Sequence, residues 1–468
     1  MNSKLDVETI RSAKQIYLIG IGGVGMSGLA RLLYHSGLKV SGSDVYETQT
    51  IKQLRSSGID VYLGQAEPHF TEKDDLIIYS SAIPQNHPEM KAAKNLGKKI
   101  YHRAEVLSCF FNAAKTSIAI AGTHGKTTTS SMISFVLSQV GKDPTCYIGG
   151  DVINFGTNAI FGNSDLYVSE VDESDQSHEL FCPNYVVLTN LEEDHVDRYR
   201  KMDQLRDSFR KFINNLHNPG LVVYSEDDLE LRSLILASDK PRISVGFSFT
   251  ADYSAQNIIR SPHGISFDLY EMGFFVTHIQ LRLLGLHNVS NALAAIAVLM
   301  HLGIDPDEIQ EAFAHFEGAR RRLEIKWQSD NLVIVNDYAH HPTEVLASIN
   351  ALRDLNKNLT VIFQPHRFSR TEYFIKQFGM AFAQADQVIL TDIYGAGEKN
   401  TNNVDISSIY KEVVAHGHPS AAVVPKDQII SHLSSQDSLS GVVAFLGAGD
   451  IGDIANEFAN RFKSAVAA

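Results

Sequence analysis

Residues 121–129 read Ala-Gly-Thr-His-Gly-Lys-Thr-Thr-Thr, directly after the apolar run Ile118-Ala119-Ile120. A strand that turns on glycines into a helix headed by lysine and hydroxyls suits the phosphates of a nucleoside triphosphate. Backbone N–H groups and the dipole at a helix N-terminus face the anion. Gly122 and Gly125 let the backbone approach closely. Lys126 would supply a point charge to the β- and γ-phosphates, and Thr127 a hydroxyl to Mg2+. Thr123, His124 and Thr128 complete the candidate loop. Its spacing is G-x-x-G-K-T; the longer standard pattern would need glycine where Ile120 stands. A plain glycine turn with an exposed lysine is the simpler alternative, and the strand-to-helix context weighs against it.

Further groups follow other strands. Gly20-Ile21-Gly22-Gly23-Val24-Gly25 fits G-x-G-x-x-G, with Asp44 after the next strand, where a ribose-binding acid would sit. Alone this suggests a dinucleotide site, although any closely approached phosphate can use such glycines. Ser169-Glu170-Val171-Asp172-Glu173-Ser174-Asp175 offers hard oxygen ligands suited to Mg2+, with Glu170 at the strand end as the best candidate. Asn190 to Asp197 places His195 among carboxylates at a neighbouring strand end, a possible ligand of a second divalent ion. His287-Asn288-Val289-Ser290-Asn291 heads an apolar helix, and Arg320-Arg321-Arg322 lies downstream. Asparagine can simply cap a helix; the functional reading is adenine and ribose contact by Asn288 and Asn291, with Arg322 stabilising phosphoryl charge. Asp337-Tyr338-Ala339-His340-His341-Pro342-Thr343-Glu344 and His366-Arg367-Phe368-Ser369-Arg370 make two His/Arg-rich strand ends, a credible pocket for an amino-acid carboxylate. Zinc at His340-His341 is disfavoured, because adjacent histidines usually point apart.

These groups need strands and helices to position them. Short apolar runs alternate with helical patterns through the first hundred residues, which predicts a parallel, doubly wound sheet. A second unit starts with the strand at 117–121 and contains strands at 166–170, 185–189 and 221–224. A polar segment of mixed strands at about 241–280 and a helix over 286–302 follow. A third unit has strands at 332–335, 359–363, 387–390, 421–424 and 442–445. The fold class expected is α/β in three domains, 1–113, 114–319 and 320–468. The outer two read as Rossmann-like and the central one as a P-loop ATPase-type mixed α/β domain.

Composition narrows the function classes. A chain of 468 residues exceeds one ordinary domain. A net charge of −13 with no long basic run argues against nucleic-acid and anionic-membrane partners. Cys109, Cys146 and Cys182 are widely spaced, so neither a disulfide framework nor a structural zinc site is expected, and a reducing cytoplasm fits. The longest apolar stretch, near 292–300, is too short to span a bilayer.

Taken in order, these motifs resemble the Mur ligase family of peptidoglycan synthesis over essentially the whole chain. The resemblance implies ATP-dependent ligation of L-alanine to the lactyl carboxylate of UDP-N-acetylmuramate through an acyl phosphate. Gly20, Gly22, Gly23, Val24, Gly25, Asp44, Ser80 and Ser81 would then hold a UDP-sugar, not a nicotinamide dinucleotide. Gly122 to Thr128, Asn288, Asn291 and Arg322 would bind ATP. Lys126, His195, Arg322 and Asp337 match catalytic positions, and Thr127, Glu170 and His195 match ligands of two Mg2+ ions. Tyr338, His340, Arg367 and Arg370 are candidates for the amino-acid pocket. Phe368 and Ser369 replace the more usual tyrosine and threonine, and the absence of lysine between Lys142 and Lys201 leaves no place for a carbamylated lysine ligand. A monomer or homodimer is expected. A recycling ligase that adds a preformed tripeptide is the near alternative. A non-catalytic nucleotide-binding protein would leave the His/Arg strand ends unexplained.

Overall fold

The computed structural model describes residues 5–467 apart from 65–67, 195–197, 200, 419 and 436–438. His195 therefore lies outside the described residues.

The first sheet contains β1 (Ile16–Ile19), β2 (Val40–Asp44), β3 (Asp60–Leu63), β4 (Leu76–Tyr79) and β5 (Lys99–His102), in the order β3-β2-β1-β4-β5. Every neighbouring pair is parallel. Strands β1 and β4 are apolar along their length, as expected of strands covered on both faces. Chain order reverses between β1 and β4, so the glycine loop after β1 opens at the switch point of a doubly wound sheet.

The second sheet is ten-stranded. It comprises β6 (Thr116–Ala121), β7 (Thr145–Val152), β8 (Thr157–Ile160), β9 (Leu166–Glu170), β10 (Tyr185–Leu188), β11 (Leu221–Ser225), β12 (Arg242–Gly246), β13 (Tyr253–Ser261), β14 (Gly264–Glu271) and β15 (Phe274–Leu281). Its central strands β12-β11-β10-β6-β9-β7 are parallel, while β13, β14 and β15 form an antiparallel meander at one end. The helices Lys126–Gln139 and Leu286–His301 pack together on this sheet, and both are buried through most of their length. An all-round buried helix needs no amphipathic stripe. That explains why serines and threonines of Lys126–Gln139 sit inside, with Ser130 and Ser131 donating to the Thr127 carbonyl.

The third sheet comprises β16 (Glu324–Gln328), β17 (Leu332–Asp337), β18 (Leu359–Phe363), β19 (Gln387–Leu390), β20 (Ala421–Val423) and β21 (Gly441–Leu446), in the order β16-β17-β21-β18-β19-β20. All pairs are parallel except β16 with β17. Asp337 ends β17 and Gln364 follows β18, so both His/Arg-rich segments leave the carboxyl edge of this sheet.

The β7–β8 hairpin joins the first unit to the second. Asn158 donates to the Val24 carbonyl at 2.7 Å and accepts from Arg31 at 2.6 Å. The Tyr147 hydroxyl donates to the Gly25 carbonyl at 2.9 Å. Both contacts fall on the glycine loop and its helix, so the central unit clamps the first unit's candidate anion site from behind.

Candidate active site

The phosphate loop starts where β6 ends. Gly122 and Gly125 have φ of 125° and 83°, a region that L side chains avoid. A Cβ on Gly125 would stand 2.4 Å from Asn291 Oδ1, and one on Gly122 would stand 2.2 Å from Thr189 Oγ1. The loop is stapled to the turn after β10: Asn190 Oδ1 accepts from His124 N–H at 2.8 Å, and its amide donates to the His124 carbonyl at 3.0 Å. Lys126 Nζ donates to the Gly122 carbonyl at 2.6 Å and to both Glu173 oxygens at 2.8 and 2.9 Å. Burial opposes the lysine charge, but Glu173, Glu170 and Asp172 outweigh it and raise its pKa.

Glu170 ends β9 beside the loop. Its Oε2 accepts from Thr127 Oγ1 at 2.9 Å and from Gly149 N–H at 2.8 Å. Burial pushes its pKa up, against Lys126 and Thr127. A Cβ on Gly149 would fall 2.5 Å from that carboxylate, so the glycine leaves room for the oxygens. A hydroxyl and a carboxylate sharing one spot are hard oxygen donors, and they fit Mg2+. The acidic loop beyond divides its work. Glu173 faces Lys126, whereas Asp172 lies 3.8 Å from Arg103 and Asp175 accepts from Ser81 in the first unit. Arg103 also donates to the Tyr147 hydroxyl at 2.6 Å and lies against Gly25. His102 contacts Ser81 Oγ at 3.0 Å. Arg103 and His102 thus join Ser81 and the glycine loop at the candidate UDP-sugar site. Sequence reasoning missed both; their position at the end of β5, a strand it did not assign, was the missing signal. Asp44 accepts from Gly22 N–H at 2.8 Å and holds the glycine loop in shape.

A cavity of about 310 Å³ brings the second and third units together. Its lining includes His124, Gly125 and Thr128 of the loop, Asn288 and Asn291 of the helix Leu286–His301, and Arg322, Asp337 and Glu344. Asn291 donates to Asn288 Oδ1 at 3.1 Å, and Asn288 donates to the Leu284 carbonyl at 2.8 Å, so both amides are fixed. Asp337 accepts from Leu323 N–H and Ala339 N–H, each at 2.6 Å, and its pKa is raised by burial against Arg322. It therefore anchors the backbone that presents Arg322. Tyr338 lies under both Arg321 and Arg322, at 4.8 and 5.2 Å from the ring centre.

Glu344, which ends the Asp337–Glu344 segment but was given no role of its own from the sequence, is the meeting point of this wall. Its Oε1 lies 3.1 Å from His124 Nδ1 and 3.8 Å from Arg322; its Oε2 accepts from His340 and His341 N–H at 3.0 and 3.2 Å. It stands three positions after the N-cap His341, the spacing of a capping box, which was its signal in the sequence. Burial works against its charge, yet His340 and His124 hold its pKa well below the usual carboxylate range. Burial likewise opposes charge on His124, but Glu344 and Glu192 prevail and raise its pKa to about 9. His340 and His341 are both driven down to about 4, chiefly by burial.

Family models match three consecutive stretches: "Mur ligase family, catalytic domain" over 15–115, "Mur ligase middle domain" over 120–299 and "Mur ligase, glutamate ligase domain" over 321–449. The UDP-N-acetylmuramate–L-alanine ligase of Carboxydothermus hydrogenoformans is 37% identical over 446 residues, spanning 95% of this chain and 96% of the relative. The chain belongs to the Mur ligase family. Its structure is similar to the crystal structure of the UDP-N-acetylmuramate–alanine ligase of Thermotoga maritima, with a TM-score of 0.82, 30% identity, and coverage of 96% of this chain and 99% of that one. The murein peptide ligase of Psychrobacter arcticus shares the fold, with a TM-score of 0.73 at 22% identity, covering 96% of this chain and 98% of that one.

In this Mur ligase the four candidates for the amino-acid pocket differ in their freedom. His340 and Tyr338 line one strand end, with rings 5.2 Å apart, and His366 stands 5.6 Å from His340. Arg367, at φ 68°, projects toward Glu398 at 3.6 Å and stays partly exposed. Arg370 is buried, and its guanidinium grips Asp194 of the central unit at 2.8, 3.0 and 3.1 Å. Its fork is engaged by that pair, so it shapes the pocket by joining two units.

Proposed function

We propose that the chain is an ATP-dependent UDP-N-acetylmuramate–L-alanine ligase, with three domains divided near 113 and 319. The supporting observation is the single cavity that the phosphate loop, the Asn288–Asn291 pair and the Arg322–Asp337–Glu344 wall line together. Such a cavity can hold ATP with its γ-phosphate facing the carboxyl ends of β17 and β18, after which His340 and Arg367 follow. The identity to ligases of this specificity supports the substrate assignment.

The lactyl carboxylate attacks the γ-phosphorus, ADP leaves, and the acyl phosphate forms. The alanine amine then attacks the acyl carbon and expels phosphate. Both steps build charge on phosphoryl or carbonyl oxygens, so fixed cations and alignment supply the catalysis. Lys126 meets the β/γ-phosphates by exchanging Glu173 for phosphate oxygens. Arg322, held by Tyr338 and Glu344, faces the transferring group. Thr127 and Glu170 would hold one Mg2+, which neutralises phosphate charge when bound; His195 is the proposed ligand of a second. Gly20 to Gly25, Asp44, Ser80 and Ser81 receive the UDP-sugar, joined by Arg103 and His102. Among the described residues no helix is long and apolar enough to cross a membrane, in keeping with a cytoplasmic reaction.

Lys126→Ala tests the separation of sites. Turnover is expected to vanish while UDP-N-acetylmuramate still binds in calorimetry with wild-type affinity. Loss of UDP-sugar binding in the folded variant would contradict it.

A further inference from the structure

Two histidines and a carboxylate converge where the phosphate loop meets the helix Pro342–Arg353. His124 Nε2 lies 3.4 Å from Glu192 Oε2, and His341 Nδ1 lies 3.7 Å from the same oxygen. All three donor atoms fall within 4.8 Å of one another. Tetrahedral zinc with bonds of about 2.0–2.2 Å sets its ligand atoms roughly 3.3 Å apart. Two of the three spacings are therefore close to ligand spacing already, and closing the third takes a small movement of side chains.

The outer nitrogens of both rings carry the second observation. His124 Nδ1 lies 3.1 Å from Glu344 Oε1, and His341 Nε2 lies 3.2 Å from the Glu193 carbonyl. On a neutral ring each acceptor keeps the proton on the outer nitrogen; at His124, whose pKa Glu344 and Glu192 raise, a bound cation would take the place of the inward proton. That is the carboxylate-or-carbonyl support that metal-bound histidines generally have. His124 Nε2, the inward atom, is buried without a hydrogen-bond partner. The inward His341 Nδ1 accepts only a long 3.3 Å contact from Thr343 N–H, which a metal bond would replace.

We propose that His124, Glu192 and His341 form a site for a borderline divalent cation of the Zn2+ class, bridging the central and C-terminal units. Two imidazoles and one carboxylate select such ions over Mg2+, which prefers oxygen donors. The site is separate from the all-oxygen pair Thr127–Glu170, and it does not depend on the ligase reading. His124 and Glu192 also line the cavity between the second and third units. Zn2+ there would pin the phosphate loop to the third unit.

The test is Co2+ binding to the full nucleotide-free chain, read by visible absorption. One strongly absorbing tetrahedral Co2+ per chain is expected, displaced by Zn2+ and retained in excess Mg2+. Glu192→Gln and His341→Ala should each abolish the tetrahedral band, with circular dichroism showing that the variants fold. Glu344→Gln, which weakens the outer support of His124 and the capping box at His341, should raise the Co2+ dissociation constant roughly 10- to 100-fold. A tetrahedral band that survives in both folded ligand variants would place the ion elsewhere and overturn the site. Only weak, six-coordinate absorption in the wild type would do the same.

Discussion

At the level of single residues, the chemistry depends on which carboxylate faces which cation. The sequence shows Glu170, Asp172, Glu173 and Asp175 as one acidic run, and Glu170 stood out because a strand ends there. What it could not show is that alternate members point to different units: Glu170 and Glu173 to the phosphate loop, Asp172 and Asp175 to Arg103, Ser81 and His102. Direction within a loop depends on turn geometry and on partners distant in the chain. Glycine positions were more legible, because their steric demand is local. Gly125→Ala places a Cβ against Asn291 at φ 83°. The expected cost is about 1–3 kcal/mol of stability, with a raised KM for ATP. Thermal unfolding and ATP titration check this; an unchanged melting temperature and KM would contradict the crowding. Arg367→Ala should raise the KM for L-alanine more than that for ATP. An unchanged alanine dependence would remove Arg367 from the pocket.

At the level of elements, strongly apolar strands such as β1, β4, β10 and β18 were readable from composition. The strands that escaped were those whose pattern is broken or polar. β7 carries Gly149 and Gly150, β8 is four residues with an asparagine, and β16 alternates charge with partly exposed apolar groups. These missed strands matter: β7 and β8 clamp the first glycine loop, and the loss of β5 hid Arg103 and His102. Arg370 is a related case. Its type suggested a carboxylate ligand, and the partner it found is a carboxylate of the protein, Asp194, far away in sequence. Because this pair is buried between units, Arg370→Ala should cost about 3–5 kcal/mol by stranding Asp194. The Arg370→Ala, Asp194→Ala double variant should lose less than the sum of the singles in chemical denaturation. Additive losses would show that the pair contributes no coupling.

At the level of the whole molecule, the second and third units share a cavity, and Ser81 and Arg103 of the first unit meet the acidic run beside the phosphate loop. The order of motifs along the chain made three α/β units legible, and family resemblance supplied what each would bind. The junctions between units were not legible, because they rest on side chains such as Glu344, Glu192 and Asp194 whose partners lie in another unit. Those junctions are where ATP chemistry must meet the acceptor amine. The central claim is that this space couples ATP cleavage to the joining of two specific acceptors. The most direct measurement is phosphate release with ATP, Mg2+ and UDP-N-acetylmuramate, adding L-alanine, other amino acids or a tripeptide in turn. Release that requires both the UDP-sugar and L-alanine, in step with formation of the alanyl product, is the predicted result. Release with the tripeptide alone, or with no acceptor at all, would contradict the account.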